Sequence, residues 1–197
     1  LTLDNRALRR ELSDAGLLMK KLMGKSSTMV RLREEILDIA QADGHVLIDG
    51  ETGTGKTLAA HALHAAGTRA GKKFVLLSCG AFDEPLLMRR LFGPVLPEES
   101  FLPVFEEARG GTVVLEDIET LPEAVQARLL SAINSDGSPP ETRIVAISNF
   151  QAPNKMLQDC MRQDLFYRLS ALSITVPPLR QRGDDILDMF NRLIETF

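Results

Sequence analysis

"HVLIDGETGTGKTLAAHALHAA", residues 45–66, decides how the rest of the chain is read. An apolar run ends in an acid, a glycine-rich loop follows, and an alanine-rich helical stretch begins at once. The loop fits G-x-x-x-x-G-K-[ST] from Gly50 to Thr57. Gly50, Gly53 and Gly55 let backbone N–H groups turn inward around an anion. The start of the helix adds its positive end. Lys56 supplies a mobile charge, and the Thr57 hydroxyl is of the type that ligates a divalent cation. An incidental glycine turn would need neither the strand before nor the helix after. Gly50, Glu51, Thr52, Gly53, Thr54, Gly55, Lys56 and Thr57 therefore form the candidate phosphate cradle.

Outward from this point, apolar strands and amphipathic stretches alternate. "KFVLLS" (73–78) leads into a helix around 83–92, and "TVVLE" (112–116) into one from Pro122 to about Asn134. "RIVAIS" (143–148) leads into a helical stretch near 154–168, and "LSITV" (172–176) closes the series. With "HVLID" leading into a helix around 56–69, these make five strands, apolar throughout and separated by helices. Such strands belong to a parallel sheet covered on both faces, so the fold class is α/β with a five-stranded parallel sheet sandwiched by helices. Before the first strand, Ser26, Ser27 and Thr28 offer caps to a helix with Met29, Leu32, Ile36 and Ile39 on one face.

"VVLEDIE", residues 113–119, is the natural partner of the cradle. A buried strand that ends in two carboxylates delivers them to a site at its tip. By position Glu116 would join Thr57 in a magnesium shell, and Asp117 would orient an attacking water. Hydrolytic strands of this kind usually end Asp then Glu, whereas here the order is reversed. Asp is one methylene shorter than Glu, and a base must reach its proton. Slower turnover with intact binding is the expectation.

Composition narrows the classes. The 197 residues are 44% apolar with a net charge of −4, enough for one α/β domain with a sizeable core. An acidic balance argues against this segment itself gripping DNA or a membrane, since phosphate contacts need clustered Lys and Arg. Cys79 and Cys160 lack motif spacing and read as buried thiols in a reducing compartment. With no long apolar run and no signal peptide, the reading is cytoplasmic, with no membrane partner. His45, His61 and His64 lack partners at metal spacing and read as structural, and Phe101 and Phe105 as a helical core pair. The chain begins at Leu1, and both ends lie in helix-like patterns, which reads as part of a longer protein.

Further motifs carry a resemblance. "GGTVVLEDIETLP", "AISN", "MRQDLFYRL" and "PPLRQRGDDI" together resemble the AAA+ ATPase domain of sigma-54-dependent transcriptional activators of the response-regulator type. The likeness runs along nearly the whole chain and implies a P-loop NTPase with ATP and Mg²⁺ as cofactors. It implies that Leu22, Met23 and Gly24 line the adenine and that Asn149 is the sensor residue reading the γ-phosphate. Arg162 and Arg168 become arginine fingers acting on a neighbour's ATP, against the plainer reading of surface ion pairs to Asp164 or Asp184. Fingers in trans require a ring of identical subunits, a hexamer or heptamer by the resemblance. RNA polymerase is the implied partner, and DNA is contacted through a further C-terminal domain. The resemblance divides the chain into a linker helix at 1–22, the ATPase core at 23–182 and the start of a helical lid at 183–197. That linker, "LDNRALRREL", resembles the one following the receiver domain in regulators of dicarboxylate transport. In the lid, Ile186, Leu187, Phe190 and Leu193 form an apolar side with nothing to pack against. Arg180 and Arg182 either reach phosphate or cap the junction to the lid.

The chain also departs from the family. The Gly-Ala-Phe-Thr-Gly-Ala loop that touches sigma-54 is absent, and only the eleven residues 94–104 bridge its place. The second surface loop is reduced to "SDGSPPET" (135–142), and Ser78 stands where an Asn usually links the catalytic acid to the first loop. With the reversed acids, these point to a regulator that no longer remodels sigma-54 polymerase. Two readings stay open: a ring-forming ATPase, and a nucleotide-dependent oligomerisation module that does not hydrolyse. A third, a small-molecule kinase on the same scaffold, is disfavoured because the later segments follow the regulator pattern.

Overall fold

Five short strands run parallel in the order β2-β3-β4-β1-β5. They are β1 (Val46–Asp49), β2 (Phe74–Ser78), β3 (Thr112–Glu116), β4 (Arg143–Ser148) and β5 (Leu172–Thr175). The computed structural model describes residues 16–22, 24–94, 102–133, 141–149, 157–183 and 185–196. The α/β class and the five-stranded parallel sheet are as expected from the sequence. Asp49 pairs with Ser148, Glu116 with Ile147 and Ser78 with Glu116, so the carboxyl ends of β1 to β4 finish level with one another. From β1 the chain crosses to the far edge at β2, returns through β3 and β4, and then passes to β5 on the other side. Ligand sites of open α/β sheets form at the carboxyl edge where the direction of winding reverses, and here that place is β1.

Alternation within the strands makes two cores. Val46, Ile48, Val114, Val145, Ile147 and Ile174 face α1 (Ser27–Ala40) and α2 (Lys56–Ala66). Leu47, Leu77, Leu115, Ile144 and Ala146 face the other way. They meet α3 (Glu84–Phe92), α4 (Val104–Glu107), α5 (Glu123–Ile133) and α7 (Gln163–Leu169). With both faces covered, the inner strands β1, β3 and β4 are buried at both parities, which is why they read as apolar throughout, whereas the edge strand β5 exposes Ser173 and Thr175. α1 starts where Ser26 accepts the Met29 N–H, and it buries Met29, Leu32, Ile36 and Ala40 at three- and four-residue spacing.

The stretch expected as one helix at 154–168 is broken. Residues 154–156 lie outside the described part, and α6 (Leu157–Cys160) stops before α7 begins. Arg162 between them has ψ 132°, and its N–H goes to Gln126 Oε1 of α5 at 2.8 Å. A side chain on a neighbouring helix supplies the acceptor, so the α-helical ladder is interrupted. The helix after the cradle also ends earlier than expected, at Ala66. Of the proposed pair Phe101 and Phe105, Phe101 lies outside the described residues. Phe105 instead stacks on Phe92, with ring centroids 5.2 Å apart, and joins α3 to α4.

Arg143 is the largest fully buried side chain, 2% exposed. Its guanidinium donates to the carbonyls of Ile39 (2.8 Å), Ala40 (3.3 Å) and Gly44 (3.1 Å), closing the C-terminus of α1 against the start of β4. A cation at a helix C-terminus also opposes the negative end of the helix dipole.

Beside it, the backbone N–H of Ile144 donates to His45 Nδ1 at 3.1 Å, which requires the unprotonated ring. Burial, with Arg143, Arg69 and Arg168 adding like charge, pushes the His45 pKa down from 6.5 to about 4. Between those values the unfolded chain binds a proton that the folded chain refuses. His45 thus contributes stability that is complete above pH 6.5 and is lost as pH falls to about 4, up to about 3 kcal/mol. Urea titrations at pH 7 and 4.5 are expected to show this slope, reduced in His45→Gln. An equal slope in parent and variant would refute the assignment.

The free thiols separate as well. Cys79 is buried and its pKa is pushed up to about 12, first by burial and then by Asp117, Glu119 and Glu116. Cys160 is only half-buried, which corrects the expectation of two buried thiols. The sequence-proposed lid helix is α8 (Asp185–Thr196), with Ile186 43%, Leu187 64% and Phe190 60% exposed. Asp185 clasps it to the start of α1 by accepting the N–H groups of Lys25 (2.5 Å) and Ser26 (2.9 Å). Of the proposed linker, residues 1–15 lie outside the described part, and 16–21 are helical. No helix among the described residues is long and apolar enough to cross a membrane.

Candidate functional site

The loop from β1 to α2 curls because two glycines take left-handed backbone: Gly53 at φ 82° and Gly55 at φ 100°. A side chain at either position would strain the turn. Lys56 opens α2 and folds back over the loop, where its Nζ donates to the carbonyls of Gly50 and Glu51, both at 2.8 Å. An ammonium has three donors, so one remains for a ligand. Lys56 is 5% exposed, and burial lowers its pKa; Glu119, Asp117, Glu116 and Asp49 oppose that shift.

Across the cleft, the tip of β3 meets the loop. The Thr57 hydroxyl donates to Glu116 Oε1. Asp117 is the only described non-glycine residue with positive φ, at φ 56°, ψ 44°. That left-handed turn, which Asp tolerates better than most residues, swings its carboxylate back toward β2 and β4. There Oδ1 accepts the side-chain amide of Asn149 and Oδ2 accepts the hydroxyl of Ser78 at 2.8 Å. Gly53, Gly55, Lys56, Thr57, Glu116, Asp117 and Asn149 thus line one cleft of about 300 Å³.

This corrects one reading of the sequence. Ser78 keeps the acid's end of that link, because its hydroxyl donates to Asp117 directly. Parallel pairing sets Ser78 beside Glu116, and the left-handed turn of Asp117 brings its carboxylate to the Ser78 hydroxyl.

Other proposed residues lie apart from the cleft. Glu51 forms a two-point ion pair with Arg180, at 2.5 and 2.8 Å, so its carboxylate faces the arm after β5. That guanidinium holds the Glu51 carboxyl below its usual range. Thr52 is exposed, and Thr54 Oγ1 donates to the Glu51 carbonyl at 2.7 Å, bracing the loop from within. Leu22 and Gly24 line a separate cleft of about 280 Å³ with Arg33, Asp188 and Met189, while Met23 lies outside the described residues. Arg162 and Arg168 are exposed on and beside α7 and do not line the cleft of their own chain. Arg162 pairs with Asp164 at 2.9 Å.

Two residues make contacts that the sequence did not assign. Arg182, 6% exposed, donates to the Pro177 carbonyl at 3.0 Å and to the Thr54 carbonyl at 2.6 Å. With Arg180, it ties the arm after β5 to the cradle. Glu119 accepts the Asn149 N–H at 3.2 Å. Its only signal in the sequence was a third acid, three residues after Glu116.

The sheet order, the glycine cradle and the level strand tips define a P-loop NTPase domain of AAA+ type. The chain belongs to the sigma-54 interaction domain family, whose profile matches residues 22–175. It is 36% identical over 209 residues to the C4-dicarboxylate transport transcriptional regulatory protein DctD of Pseudomonas aeruginosa, covering 99% of this chain and 45% of that protein. It is 38% identical over 183 residues to the anaerobic nitric oxide reductase transcription regulator NorR of Escherichia coli, covering 85% and 36%. The chain therefore spans less than half the length of these curated relatives. Among solved structures, NtrX from Brucella abortus in complex with ATP superposes with TM-score 0.78 at 28% identity, over 98% of this chain and 47% of that one. The P-loop NTPase domain of an E. coli sigma-54 transport activator shares the fold, with TM-score 0.60 at 24% identity over 80% of this chain and 99% of that one.

Proposed function

We propose that this chain is the ATP-binding and ATP-hydrolysing domain of a bacterial transcription regulator of the sigma-54 activator type. The observation that carries this is the convergence of Lys56, Thr57, Glu116, Asp117 and Asn149 on one cleft. Lys56 and the left-handed glycines suit the β- and γ-phosphates. The Thr57 hydroxyl and Glu116 carboxylate are adjacent hard oxygens, the donor set that magnesium prefers. Magnesium, when bound, neutralises charge on the phosphate oxygens. Asn149 donates its amide to the terminal phosphate, and Asp117 orients the attacking water.

Arg162 and Arg168, exposed beside α7, are the residues that would reach a neighbour's nucleotide in a ring. The domain division also belongs to this proposal: linker helix to residue 22, ATPase core 23–182, lid from 183. The exposed Ile186, Leu187, Phe190 and Ile194 of α8 support the lid assignment. Sigma-54 remodelling is lost in this reading. Its support is the short 94–104 bridge, of which residues 95–101 lie outside the described part, and the direct stacking of Phe92 on Phe105 across that bridge. DNA contact belongs to a separate domain of the full regulator.

Steady-state ATP hydrolysis across a protein concentration series tests the central claim. Turnover per subunit is expected to rise with concentration and to fall on the order of 10²-fold in Lys56→Ala. Arg162→Ala and Arg168→Ala should each fall by about 10³. Mixing either with Lys56→Ala should restore part of the activity, since one subunit then supplies the cradle and the other the arginine. Full activity in both arginine variants would reject the trans role. Robust opening of a sigma-54 promoter by the full-length regulator would reject the loss of remodelling.

One observation favours the second reading, a nucleotide-dependent assembly module without turnover. Both oxygens of Asp117 already accept hydrogen bonds, from Asn149 and Ser78. Tight binding of ATP with no phosphate release at any protein concentration would select it.

A further inference from the structure

Three carboxylates leave the end of β3, and their oxygens are engaged differently. Glu116 Oε1 takes the Thr57 hydroxyl, and both oxygens of Asp117 are occupied. Glu119 follows on the short 3-10 turn Ile118–Thr120, which the Thr120 N–H closes onto the Asp117 carbonyl at 2.9 Å. The turn directs Glu119 back over the end of β4, where Oε1 accepts the backbone N–H of Asn149 at 3.2 Å. Its Oε2 is buried with no hydrogen-bond partner among the described residues. A buried carboxylate oxygen left this way opposes folding, so its position calls for an explanation other than stability.

Asn149 is consequently held twice, by its backbone at Glu119 and by its side-chain amide at Asp117. The same amide lines the cleft beside Lys56. A terminal phosphate entering there offers a charged acceptor for that N–H. When the amide turns to phosphate, Asp117 Oδ1 is released to accept from water. The exchange needs only a side-chain rotation, provided that the Asn149 backbone stays fixed. Among the described residues, Glu119 is the side chain that fixes it.

We propose that Glu119 is a positioning residue through which the site distinguishes a nucleoside triphosphate from a diphosphate, by holding Asn149 where its amide can pass from Asp117 to the terminal phosphate. The proposal rests on reading the cleft as a triphosphate site.

The test is competition of ADP, and of a non-hydrolysable ATP analogue, against a fluorescent ADP in the presence of Mg²⁺, which needs no turnover. Glu119→Ala is expected to lower triphosphate affinity relative to diphosphate about tenfold, with ADP affinity unchanged. Glu119→Gln, which keeps an acceptor for the Asn149 N–H, should recover most of the ratio. An unchanged ratio in Glu119→Ala overturns the proposal. An equal loss for both nucleotides also overturns it, because that marks a merely structural role. A parent chain that binds neither nucleotide defeats the nucleotide reading itself, and this proposal with it, before any variant is compared.

Discussion

Asp117→Asn is expected to lower ATP turnover by about 10³-fold while leaving ATP affinity within a factor of about three. Asparagine is the informative replacement because it tolerates the left-handed backbone that Asp117 adopts at φ 56°. An alanine there would add strain to the loss of the carboxylate and blur the result. The asparagine carbonyl still accepts from Asn149, and its NH₂ group can donate to Ser78, so the local network survives. Only the charge to which the proposed function assigns the orientation of water is removed. Binding is expected to be spared because the proposed function assigns the phosphate contacts to Lys56 and the loop rather than to this side chain. Pre-steady-state binding and phosphate release measured on the same sample separate the two effects. Turnover within about threefold of the parent would remove Asp117 from the chemistry and leave the oligomerisation reading in its place.

Arg143→Met is expected to destabilise the fold by about 3 kcal/mol or more, with no nucleotide contact altered. The substitution keeps apolar bulk beneath α1 but leaves the carbonyls of Ile39, Ala40 and Gly44 without their donor. It also removes the cation at the C-terminus of α1. Against a total stability of about 5–15 kcal/mol for a single domain, such a loss is large. Arg143→Lys should fall between the two, since it retains the charge without the planar fork that reaches several acceptors at once. Urea unfolding followed by far-ultraviolet circular dichroism is the measurement. A shift under about 1 kcal/mol in Arg143→Met would mean that water satisfies these carbonyls.

Much of this was legible in residue order. A strand and a helix on either side of a loop with glycines at 50, 53 and 55 fix a cradle by local geometry, because φ/ψ demands act over a few residues. Strands apolar at every position can only lie in a sheet covered on both faces, and the five strands followed from that. Lys56, Thr57, Glu116 and Asp117 were readable as one site because each sits at a strand or helix end, where a parallel sheet gathers its tips, and the family resemblance added Asn149.

What the sequence could not determine was set by long-range register and by side chains of ambiguous use. Ser78 looks like a missing Asn until the β2–β3 pairing and the left-handed turn at Asp117 bring it within 2.8 Å of the acid. Glu119 carries no assignment in residue order, and only the turn after β3 brings it to Asn149, 30 residues away in sequence. For Arg180 and Arg182 residue order leaves phosphate contact and a cap to the lid junction both open, and their bonds to Glu51 and Thr54 show only once the arm after β5 is laid along the cradle. The break between α6 and α7 comes from one amide on α5, which no propensity of residues 157–169 encodes. Local backbone demands and burial period are properties of a few adjacent residues, so the sequence alone determined the cradle, the sheet and the acidic strand tip. Which polar groups satisfy one another depends on segments that meet only in the folded chain, so the tertiary structure decided how those acids are held.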